Sequence, residues 1–202
     1  MKTILLLLTA AALATTSAFA QELMSQEEAL KAAKLLIESA ATQSDLQFKT
    51  SPLSDKTRGI KAGDVGLIVI PDARLTSDAL AKAGKEMVPV GQLWTRVATA
   101  AKDNRVTPNS KLRLVEVTAG DQKLRLQFYL LGVQRTDKDK LELVLFGKDK
   151  EALLKLPLDK ADASAEFPIE LSGRKTGDES GVLTLTILGK HKAELPLLKQ
   201  ED

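Results

Sequence analysis

In this chain of 202 residues few side chains could do chemistry, and His191 heads them as the sole histidine. Any catalytic triad, proton relay or imidazole-bound metal would have to use it. It stands between Lys190 and Lys192, whose charges disfavour its protonated form. Gly189-Lys-His-Lys192 also echoes Gly147-Lys-Asp-Lys150, where Asp149 takes the matching slot. A slot that accepts Asp or His predicts an exposed turn-tip histidine rather than a general base.

Carboxylates could act without histidine. Asp137 and Asp139, and Asp159 and Asp162, are spaced closely enough to suggest a glycosidase pair or a calcium cage. Lysines interrupt both pairs, and the calcium-loop order with its central Gly and closing Glu is absent. Both are expected to be solvated hairpin tips. A binding site is better sought in Val88-Pro-Val-Gly-Gln-Leu-Trp-Thr-Arg96. There Trp94 offers an apolar face and Arg96 an anion partner. The competing reading makes Trp94 the packing seam between the N-terminal elements and the rest of the fold.

The remaining composition mostly excludes. With no cysteine, thiol catalysis, disulfides, cysteine-ligated zinc and iron–sulfur chemistry are ruled out. One histidine makes a conventional zinc site improbable, so no metal and no cofactor is expected. Neither a Gly-x-Ser-x-Gly elbow, a phosphate-binding loop nor a dinucleotide fingerprint occurs. One Trp, one Tyr and five Phe are too few for a broad sugar-stacking platform. The basic turns carry no interleaved aromatics, which argues against nucleic acid.

Residues 1–20 address the compartment. Lys2, the apolar run Ile4 to Leu13, and Ala18-Phe19-Ala20 follow the order of a secretory signal peptide, cut between Ala20 and Gln21. The apolar run is too short to span a bilayer, and no later stretch is long enough, so no integral span is expected after cleavage. Removing Lys2 from the 29 basic residues leaves 28 against 27 acidic, a net charge of +1. That balance gives no electrostatic reason to expect nucleic acid or an anionic membrane.

The elements that must position these residues are legible in part. Ser25 to Ser44 reads as a helix, with Ser25 and Glu28 forming a capping box. Its apolar stripe is Leu30, Ala33, Lys34 and Ile37, widened by Ala29, Leu36 and Ala40, and is expected to pack on its own domain. Thr42 to Asp64 is polar and broken by Gly59 and Gly63, so it reads as a linker or long loop. Val65 to Ile70 reads as a buried strand and Thr76 to Lys85 as a short helix. Val90, Leu93, Trp94, Val97, Ala98 and Ala101 carry helical spacing that favours a helix over Gln92–Lys102, against an alternation that would favour a strand.

Past Pro108 the pattern turns to strict alternation. Leu124-x-Leu-x-Phe-x-Leu130, Leu141-x-Leu-x-Leu145 and Leu183-x-Leu-x-Ile187 each present one apolar face. Shorter strands are expected at Leu112 to Val117, Leu153 to Leu158, Glu166 to Leu171 and Ala193 to Leu198, with turns between them. The two Gly-Lys-x-Lys hairpins are either a duplication or a convergence of sandwich grammar.

The fold class expected is α+β, mainly β: an N-terminal helix and a mixed segment packed against an antiparallel β-sandwich of immunoglobulin-like size. The divisions are a signal peptide at 1–20, helix and polar linker at 21–63, a mixed segment at 64–108, the sandwich at 109–199 and a tail at 200–202. The function expected is a non-enzymatic interaction or structural module, periplasmic or secreted, engaging an envelope or extracellular protein. A carboxylate-dependent hydrolase and a small-ligand carrier with its pocket near Trp94 are the alternatives.

Overall fold

The computed structural model describes residues 22–84, 86–136 and 140–200. The expected signal segment and the Asp137/Asp139 pair lie outside them. From the N-terminus the elements are β1 (Glu22–Leu23), α1 (Gln26–Ala41), β2 (Arg58–Ala62), β3 (Val65–Pro71), α2 (Ser77–Ala81), β4 (Val88–Arg96), β5 (Ala98–Lys102) and β6 (Arg105–Val106). There follow β7 (Arg113–Ala119), β8 (Gln122–Arg135), β9 (Leu141–Phe146), β10 (Ala152–Pro157), β11 (Asp159–Lys160), β12 (Ile169–Lys175), β13 (Ser180–Ile187) and β14 (His191–Lys199).

These strands form two antiparallel sheets, a mainly β sandwich with one long helix. The first sheet runs β1-β2-β3-β4-β8-β9-β10, with β7 also paired to β8. The second runs β12-β13-β14-β5-β6, with β11 paired to β14. Alternation decides which face meets which. Leu143 and Leu145 from the first sheet, and Leu183, Leu185 and Ile187 from the second, are fully buried in the shared core. The outer face of the first sheet carries a second apolar layer of Ile70, Trp94, Val115, Phe128, Val144 and Phe146, against which α1 packs.

Helix α1 begins where the capping box predicts. Ser25 Oγ accepts the Glu28 N–H at 3.2 Å and Glu28 Oε2 accepts the Ser25 N–H at 3.0 Å. Its buried residues are Ala29, Ala33, Leu36 and Ala40, so Leu30, Lys34 and Ile37 are peripheral to the contact rather than central. Three alanines in the contact face let the helix lie close over the bulky rings beneath.

Gln92–Lys102 is strand, not helix. β4 is central in its sheet and covered on both sides, by α1 and by the second sheet, so neighbouring Leu93 and Trp94 are buried on opposite faces and the period-two signal is blurred. At Val97, with φ of 66°, the chain leaves the first sheet and enters the second as β5. The Gln200 N–H donates to the Val97 carbonyl at 2.7 Å and holds this corner. The segment 64–108 therefore supplies strands to both sheets.

The stretch 42–64 is a loop only in its first part. It is strapped down by the Asp72 carboxylate, which accepts the Ser51 N–H at 2.7 Å, and by Phe48, edge-on to Phe146 at 6.1 Å. Strand β2 then starts at Arg58, unsignalled because Gly59 read as a breaker. In the fold that glycine lets Met24 pass close over the strand, a place where a Cβ would collide with the thioether.

Candidate functional site

At one end of the sandwich the two sheets part around an open groove of about 940 Å³. The first sheet contributes Leu141, Glu142 and Pro157, with Leu158 just beyond β10; the second contributes Lys160, Leu188, Lys190 and His191. Helix α2 closes the third side with Leu80 and Ala81. It is placed there by Thr76, whose Oγ1 caps the Ala79 N–H at 3.1 Å, and by Arg135, whose Nε donates to the Ala83 carbonyl at 2.8 Å. The floor is apolar, since Leu80 and Leu158 are buried against the inter-sheet core.

His191 forms part of the wall. The turn before it places Leu188 and Gly189 at φ of 52° and 67°, and the Lys190 N–H donates back to the Ile187 carbonyl at 3.1 Å. Both central residues thus hold the left-handed backbone that a tight hairpin requires. A side chain on Gly189 would also run into the Ala163 carbonyl. His191 is then the first residue of β14 and shares the inward face with Ala193, Leu195 and Leu197. It stands opposite Ile187 on one side and Lys160 on the other.

This corrects the exposed turn tip expected of His191. The ring is half-buried, and its Nδ1 is buried with no hydrogen-bond partner among the described residues. Burial pushes its pKa down, and Lys190 and Lys160 push it further, so the imidazole is neutral at pH 7. Nor is Asp149 its structural equivalent. The loop at 147–151 is longer than that at 188–190, and Asp149 lies exposed in it. Leu154 is the residue opposite Leu145, as His191 is opposite Ile187. Different turn lengths give the two Gly-Lys-x-Lys segments different shapes.

Trp94 lies 1% exposed under α1, stacked on Phe128 with ring centroids 4.5 Å apart. Its Nε1–H donates to Gln92 Oε1 at 3.1 Å. Arg96 is exposed at the end of β4, opposite Gly66. Neither lines the groove. Asp159 stands opposite Lys192 in the β11–β14 pairing, so Asp159 and Lys160 are strand rather than hairpin tip. Among the described residues no group of three or more His, Asp or Glu side chains is placed to hold a metal ion. At the other end of β14 a smaller cavity of about 220 Å³ lies between the sheets, with the Asp64–Lys199 ion pair at 3.2 Å in its lining.

Sequence reasoning missed Lys160 and Leu188 as site residues. The available signal was Leu188 itself, an apolar side chain inside an otherwise polar turn. No helix among the described residues is long and apolar enough to cross a membrane. No known family, curated protein or solved structure matches this chain.

Proposed function

We propose that the protein is an exported, non-enzymatic binding module that seats a small ligand in the groove between α2 and the open end of the sandwich. The observation that supports this reading is the groove itself: about 940 Å³, floored by core leucines and open to solvent. Export follows from the pattern of residues 1–20. Docking through an exposed greasy patch has less support, because Leu23 and Val106 are the exposed large hydrophobics among the described residues, and they sit on separate strands.

Native mass spectrometry of the protein recovered from its export compartment tests the reading. A retained small-molecule mass that disappears in Ser77→Trp, which would fill the groove from the exposed start of α2, is the expected result. A bare protein mass, a retained mass indifferent to Ser77→Trp, or conversion of the retained compound to product would each contradict it.

A further inference from the structure

The charges around the groove specify what it takes. We infer that its ligand is a single-chain amphipathic anion, with its apolar body on Leu80, Leu158 and Leu188 and its acidic head between Lys160 and Lys190. This rests on the groove being the binding seat.

Three observations carry it. First, Lys160 and Lys190 flank His191 from two separate segments, β11 and the β13–β14 turn, and neither ammonium has a hydrogen-bond or ion-pair partner among the described residues. Two cations left uncompensated against one imidazole are an unfavourable arrangement that an anion relieves. Second, cations outnumber acids along the groove: Arg135, Lys140, Lys160 and Lys190 line it against Glu142 and Asp159. At the smaller cavity, by contrast, three cations meet three acids, and Lys199 with Asp64 and Lys175 with Asp178 are ion-paired, both at 3.2 Å. Third, His191 lines the groove between the two ammoniums as a neutral ring, so it brings no negative charge that would answer them in place of a ligand. A bare inorganic anion would leave the leucine floor uncovered, and a neutral apolar molecule would leave the lysines unanswered.

Calorimetric titration with sodium dodecanoate below its micelle concentration is the test, with dodecyl maltoside and sodium acetate as the neutral and chainless probes. Dodecanoate is expected to bind and the other two to bind far more weakly. Lys160→Gln/Lys190→Gln should lower the affinity roughly tenfold at low salt, the scale of two solvent-facing charges. Lys31→Gln/Lys34→Gln, the same charge change on α1, should leave it unchanged. Ser77→Trp should abolish binding. Dodecyl maltoside binding as tightly as dodecanoate, with no effect of the lysine substitutions but full sensitivity to Ser77→Trp, would overturn the anion inference and leave the groove reading standing. Dodecanoate binding indifferent to Ser77→Trp, or no binding by any probe, would overturn the inference, and indifference to Ser77→Trp would count against the groove as well.

Discussion

His191 stands directly opposite Lys160 in the short ladder between β11 and β14, a residue removed from it by thirty-one positions of chain and two strands. Burial of the ring comes first in lowering its pKa, with Lys190 and Lys160 adding repulsion. The protonated form is therefore disfavoured in the folded protein relative to the unfolded one. Stability linked to His191 is full above the ordinary histidine value of 6.5 and is lost as pH falls through the lower folded value. NMR titration of the ring should place its midpoint below 6.5, and Lys160→Gln should raise it. A midpoint at or above 6.5 would mean that the ring is solvated.

Asp72 supplies a second acid-sensitive element. Its burial opposes ionisation, yet Arg74 Nε at 2.8 Å, the Ser51 N–H at 2.7 Å and the Arg74 N–H at 2.9 Å together outweigh that and hold its pKa below the ordinary 3.8. Its contribution is full above 3.8 and declines as pH falls through the folded value. Asp72→Asn should cost about 1.5–3 kcal/mol at neutral pH, the range for hydrogen bonds to a charged group. Chemical denaturation at pH 7 and pH 3 measures it, and the gap between variant and parent should narrow in acid.

The inward faces of the sheets predict a larger effect. Leu143→Ala and Leu185→Ala each empty a fully buried site and should cost about 2–5 kcal/mol. Losses under about 0.5 kcal/mol at both would be surface-like and would show the inward face to be misassigned.

Ser180–Ile187 was legible because one face is core and the other is not, and Leu141–Phe146 was legible from Leu141-x-Leu-x-Leu145 although Val144 and Phe146 are buried on its other face. β4 was misread because Leu93 and Trp94, on its two buried faces, combine with Val90, Val97, Ala98 and Ala101 into a helical spacing that competes with the strand alternation. β2 was hidden by Gly59, whose role is a close approach by Met24 that no local pattern encodes. The groove depends on a pairing distant in sequence, β11 to β14, between two residues on one side and the start of a long strand on the other. Lys160 looks like an ordinary solvated turn residue until that ladder brings it to the histidine that Lys190 already adjoins in sequence.

Trp94 separates packing from binding. Trp94→Ala should cost about 3–5 kcal/mol, the range for removing a buried aromatic ring. Trp94→Phe keeps an aromatic face toward Phe128 and should leave ligand affinity within twofold of the parent. A selective loss of binding in a stably folded Trp94→Phe protein would move the site to α1 and revive the pocket expected there.

The most direct test of the groove is two-dimensional NMR of the assigned protein titrated with dodecanoate. Progressive shifts confined to the groove, at Leu80, Leu158, Lys160, Leu188, Lys190 and His191, with the α1 amides unmoved, are the predicted result. Shifts centred on Trp94 and α1, or on the Asp64–Lys199 end of the sandwich, would contradict it.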